Sequence, residues 1–206
     1  FEIHRDAGAA DRHADTLRAA LTAALGARSA ARSSHELGRA ERLLARALEL
    51  YGAAEAARSA TLRALDASRA DRDELAATLI DGMRRALTLG QLPLGRALAR
   101  EAIAADLDQE DLVYVALWLS LLERRAGAEP DGTVAEALAQ VSARTGWIAA
   151  LRAWGSAELD DTGLLGAARS ATERTEARFY VAMAGRAGGD PVAGLAAVAE
   201  SPAIEL

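Results

Sequence analysis

The chain has no cysteine, and among its 206 residues there is no lysine and no asparagine either. Aromatic side chains make up only 4 % of it, and there are four prolines. Without cysteine, disulfides, thiolate metal sites, iron–sulfur ligation and cysteine nucleophiles are all excluded. Without lysine there is no P-loop lysine, no Schiff base and no kinase-type phosphate lysine, so all 24 basic residues are arginine. Without asparagine there is no N-glycosylation acceptor. Lysine and asparagine both use AT-rich codons, and their joint absence points to a GC-rich, bacterial genome. The chain starts at Phe1 rather than Met, which reads as a trimmed or cleaved start. The compartment, bacterial cytoplasm or periplasm, is left open.

What remains is dominated by strong helix formers. Alanine is roughly a quarter of the residues, with leucine and arginine also abundant, while β-branched and aromatic residues are scarce. An all-α fold is expected. The formal net charge of −6, with arginine interleaved among Asp and Glu, argues against a nucleic-acid partner, which requires a concentrated basic face. The longest apolar run, "LVYVALWLSLL" at 112–122, is too short for the ~20 residues of a membrane span. A helix apolar on every side is expected to be buried on every side.

Helical periodicity with stop signals divides the chain into segments. The first runs from Asp11 to Leu25 with Gly26 as its stop. Ser33-x-x-Glu36 matches a capping box and opens a helix that keeps one face to Tyr51. Partner helices are expected over 53–66, 73–89, 92–105, 132–144, 146–157, 162–171, 173–187 and 191–200. Asp108 and Asp111 suit the N-terminal dipole of the apolar helix. Gly52, Gly90, Gly127 and Gly189 each sit in a turn between two helices, the first three about 38 residues apart. Pro93, Pro130 and Pro191 fall at the start of a second helix, where the missing N–H costs nothing. One helical hairpin is therefore used about five times after an N-terminal helix. Residues 1–34 read as that helix and its linker, and 35–206 as one repeat domain.

"EARFYVAMAGRAGGDPVAGLAAVAESP" (176–202) resembles a unit of the tetratricopeptide-repeat superfamily, whose helix–turn–helix is about 34 residues long. Ala182 and Gly194 stand at its small positions and "GGDP" at its inter-helix turn, and Gly95 and Ala102 are the small residues of the unit around Gly90. The resemblance implies a right-handed α-α superhelix whose first helices line a concave groove that holds a peptide or partner helix. It places Arg84, Leu121, Arg124, Phe179, Met183 and Arg186 on the inner, partner-contacting face. Some members of the family grip a C-terminal carboxylate with Lys and Asn, which this chain lacks, although Arg could substitute with different geometry. A mixed apolar and arginine-lined groove suits an acidic, amphipathic segment. The expected function is a non-enzymatic protein–protein interaction scaffold or adaptor. The alternative is a regulatory or sensor repeat domain of a larger signalling or transcription-regulator protein.

Three further features have simpler readings. His4, His13 and His35 lie near several aspartates, but their spacing matches no metal motif, and no metal or other cofactor is expected. "ELDDTG" at 158–163 offers paired carboxylates, yet reads more simply as a turn with an N-cap. Tyr114, Trp118, Trp147, Trp154, Phe179 and Tyr180 all fall in the second half. They line a groove, or they fill the gaps that an alanine-rich core leaves.

Overall fold

The computed structural model describes residues 7–185, with side chains from residue 14 onward. It is all-helical over this span, as expected, with ten α-helices and no strand among the described residues. The stretch that carries Arg186, Gly189, Pro191 and Gly194, together with His4 and the His13 side chain, lies outside it. The chain divides into two compact units, Phe1–Arg85 and Ala86–Leu206.

The first unit contains α1 (Ala7–Ala30), α2 (Ser34–Leu50), α3 (Ala54–Ser68) and most of α4 (Arg72–Leu89). Gly26 does not stop α1. The glycine penalty of about 1 kcal/mol is spread over an alanine-rich helix, and Arg28 beyond it reaches the buried Glu41 at 2.8 Å. Leu21 and Ala24 of α1 pack on Leu44, Ala45 and Leu48 of α2 and Ala60 of α3. Ser33 caps α2 by accepting from Glu36 N at 3.2 Å, and the Glu36 carboxylate returns to Arg32 N at 2.7 Å rather than to Ser33 itself.

Alanine side chains are too short to fill the space between these helices, and long charged ones enter it in pairs. Glu41 is 1 % exposed and bridged by Arg28 and Arg63, the latter at 2.9 Å. Arg85 is equally buried, donating to Glu49 at 3.2 Å and to the Thr61 hydroxyl at 2.8 Å. Buried charges persist only when so partnered.

The second unit contains α5 (Leu92–Ala104), α6 (Gln109–Arg125), α7 (Thr133–Gln140), α8 (Gly146–Gly155), α9 (Asp161–Ala167) and α10 (Ala171–Ala184). Asp108 caps α6 through Asp111 N at 2.9 Å. The apolar run is buried nearly all round, from Leu112 to Leu122, against α5, α7, α8 and α10. Gly95 of α5 allows the close approach: an added Cβ would stand 2.5 Å from Leu122 Cδ2. Pro93 lies in the first turn of α5, whereas Pro130 precedes α7, whose N-cap is Gly132. Helix α7 ends at Gln140 rather than 144 because Val141 turns extended and buries its side chain.

The turn glycines form a common device. At Gly52, Gly90 and Gly127 φ is +80°, +68° and +60°, a region open to glycine. In each turn the glycine N–H and the next N–H reach back to the last carbonyls of the preceding helix: Gly52 to Glu49 and Ala53 to Leu48, Gly90 to Leu87 and Gln91 to Ala86, Gly127 to Arg124 and Ala128 to Glu123. This is the Schellman closure. A fourth turn has the same bonds, Ala157 to Trp154 and Glu158 to Ala153, with an alanine at φ +60° in the glycine position.

Candidate functional site

Helices α6, α7 and α8 of the second unit enclose an open cleft of about 540 Å³. Its apolar wall is Val134, Ala135, Leu138 and Ala139 of α7, and its far side is the α8 terminus from Arg152 through Glu158. Gly155 brings α8 in, since a Cβ there would lie 2.7 Å from Leu117 and 3.0 Å from Leu138. The loop between α6 and α7 is pinned by charge. Arg96 holds the buried Glu123 at 2.8 Å and Asp131 at 3.3 Å, Arg100 holds Asp131 at 2.6 Å, and Asp131 accepts from Thr133 N at 3.1 Å. Burial works to raise the Asp131 carboxyl, but the Thr133 hydroxyl and amide and the flanking arginines prevail and hold it below its ordinary value.

Two arginines face this cleft and differ in their freedom. Arg152 is engaged by both oxygens of Glu158, at 3.1 and 2.7 Å. Arg124 is exposed, reaches the Ala184 carbonyl at 3.4 Å, and has no carboxylate partner among the described residues. A cation beside an apolar wall, with its charge unspent, can recognise an anionic group on an otherwise apolar segment.

The other residues expected on the partner face are placed differently. Leu121 is 2 % exposed, so it packs α6 and presents nothing to a partner. Phe179 and Met183 are half-buried on α10. Arg84 belongs to the first unit and is tied to Glu49 at 3.2 Å. Arg186 is outside the described residues. Periodicity alone did not reveal the cleft walls on α7 and α8, because small alanines and glycines carry no chemical signal.

The aromatic group lies on α6, α8 and α10. Trp154 and Tyr180 are core residues, 2 % and 1 % exposed, with ring centroids 5.8 Å apart. Tyr114 and Trp118 stack at 6.0 Å. The polar tips are satisfied within the protein: Trp147 Nε1 donates to Glu176 Oε2 at 2.7 Å, Tyr114 Oη to the same oxygen at 3.5 Å, and Trp154 Nε1 to Asp161 at 2.8 Å. Burial pushes the Glu176 carboxyl up, and burial followed by the Glu176 charge pushes the Tyr114 hydroxyl well up. These contacts favour the gap-filling reading.

"ELDDTG" is a turn. Asp160 caps α9 through Gly163 N at 2.7 Å, Glu158 is taken by Arg152, and Asp161 receives Trp154. His35 stands 3.9 Å from Glu74, and the described residues contain no group of three His, Asp or Glu placed to hold a metal. No described helix is long and apolar enough to cross a membrane. Comparison with protein-family models, curated proteins and solved structures finds no match.

Proposed function

We propose that the chain is a non-enzymatic, tetratricopeptide-like interaction module whose α6–α7–α8 cleft holds an acidic, amphipathic segment of a partner protein. The observation that carries this reading is Arg124: an exposed guanidinium with no carboxylate partner among the described residues, on the rim of an alanine- and leucine-walled cleft. Two serines, Ser120 and Ser156, also line the cleft, but no histidine among the described residues accompanies them there to act as a base. The shared turn closure at Gly52, Gly90 and Gly127 supports a repeated hairpin.

The test is capture of partners from the native host with the wild type, Arg124→Ala and Ala135→Trp, the last filling the cleft. Arg124 and Ala135 are exposed, so melting should hold within about 1 kcal/mol. Both variants should lose the same partner, and the wild-type interaction should weaken with salt as screening grows. Equal recovery by all three proteins would reject the cleft as the binding site.

A further inference from the structure

A second surface, in the first unit, is left exposed by the described residues of that unit. Helix α2 turns Ala40, Leu44 and Ala47 inward, each at most 6 % exposed. Its opposite face carries Arg39, Leu43, Arg46 and Leu50, spaced four, three and four residues apart, which places all four on one stripe. Leu43 and Leu50 are 58 % and 60 % exposed. Single exposed leucines need no explanation, but two on one stripe, interleaved with arginines, form a patterned surface.

The arginines are as informative. In the same unit Arg28, Arg42, Arg63 and Arg85 each face a carboxylate. Arg39 and Arg46 are exposed, and neither has a carboxylate partner among the described residues. The acid on this face, Glu36, spends a carboxylate oxygen on Arg32 N at 2.7 Å. At the N-terminal end of the stripe a depression of about 540 Å³, lined by Arg32, His35, Arg39 and Leu43 and by alanines of α1, makes the face concave.

We propose that this stripe docks an acidic amphipathic helix of another protein, its leucines meeting the apolar side of that helix and Arg39 and Arg46 meeting its glutamates or aspartates. Charge complementarity selects this occupant. In a symmetric pair of copies joined through the stripe, each copy would present Arg39 and Arg46 to the other against the single carboxylate of Glu36, itself held by Arg32 N. An anionic membrane surface calls for clusters of about 4–8 basic residues, more than the stripe supplies, on a chain of net charge −6. The surface is distinct from the cleft lined by Arg124, and the inference does not depend on that cleft.

The test uses the full chain and a fluorescent synthetic amphipathic helix with a leucine stripe flanked by glutamates, followed by anisotropy. A sister peptide carries lysine in place of every glutamate. The wild type should bind the glutamate peptide and not the lysine peptide. R39E/R46E should weaken the first on the order of tenfold or more, about 1.4 kcal/mol, and acquire the second. L43S/L50S should also weaken the glutamate peptide. All four altered side chains are exposed, so circular-dichroism melts should overlay, and R39Q/R46Q serves where the charge reversal disturbs folding. No binding by the wild type, or binding indifferent to charge reversal, overturns the proposal. So does cosedimentation with phosphatidylserine vesicles that R39E/R46E abolishes while the peptides fail to bind. A dimer in sedimentation that L43S/L50S dissolves would also overturn it, by assigning the stripe to a second copy.

Discussion

The indole N–H of Trp147, on α8, donates to Oε2 of Glu176, on α10, at 2.7 Å, and so ties two helices of the second unit through a half-buried carboxylate. Burial raises this carboxyl above its ordinary value of 4.5, against the opposing effect of the Trp147 and Tyr114 hydrogen bonds. The folded pKa thus exceeds the unfolded one. The contribution to stability is full below the unfolded pKa and is lost as pH rises through the folded pKa, after which it is constant. Glu176→Gln keeps an acceptor and removes the charge. It should be no less stable than the wild type at neutral pH, and the wild-type loss between acid and neutral pH should be absent from the variant and so appear in the difference between their stabilities. Glu176→Ala leaves the indole unpartnered and should cost about 1–3 kcal/mol. Identical pH dependence in the wild type and Glu176→Gln would mean that another group is responsible.

The first unit contains a sharper electrostatic asymmetry. Glu49 serves two arginines, and of these Arg85 is buried while Arg84 is largely exposed. Removing the acid strands a buried cation with Thr61 as its remaining partner. Glu49→Ala should therefore destabilise by about 3–5 kcal/mol. Arg85→Met removes the buried charge itself and leaves Glu49 with Arg84, so it should cost clearly less. Urea denaturation of the two variants decides the order, and a costlier Arg85→Met would show that packing by the arginine stem outweighs its charge.

Ala157 occupies the left-handed position of a turn that elsewhere takes glycine, at φ +60°. An L side chain there costs about 1–2 kcal/mol, partly offset by the greater unfolded-state freedom of glycine. Ala157→Gly should raise stability by about 0.5–1 kcal/mol, and Gly127→Ala, which creates the same strain, should lower it by a similar amount. Opposite shifts in thermal melts are the expected result, and equal shifts would mean that the two turns are not equivalent.

That alanine also explains where the sequence could be read and where it could not. Gly52, Gly90 and Gly127 announce their turns because the backbone there demands a residue without a Cβ. At Ala157 the same closure forms under strain without the glycine signal, and the turn was legible only through the Asp160–Asp161–Thr162–Gly163 run that opens α9. The ends of the short helices were missed for a related reason: Val141 leaves the helix for a tertiary pocket that no local preference encodes. The apolar run of α6 was legible, since a helix with no polar side has only one stable environment. Arg124 was legible as a candidate contact residue. Leu121 was legible as core through that same run, and its placement on the partner face came from the family resemblance, which its burial overturns. The capping box at Ser170 and Glu173 starts α10 at Ala171, two residues before the expected boundary at 173.

The all-round burial of α6 has a consequence for how the second unit breathes. α5, α7, α8 and α10 all pack against this one helix, so the amides of its central turns, Val113 to Leu122, cannot meet solvent by fraying or by the departure of a single neighbour. Isotope exchange there should proceed only through opening of the whole unit and report its global free energy. The amides of α7 and α9, eight and seven residues long, should exchange through local openings of far lower energy. The second unit should therefore lose its periphery while its central helix stays protected, and the helix that carries Arg124 should be the last to exchange.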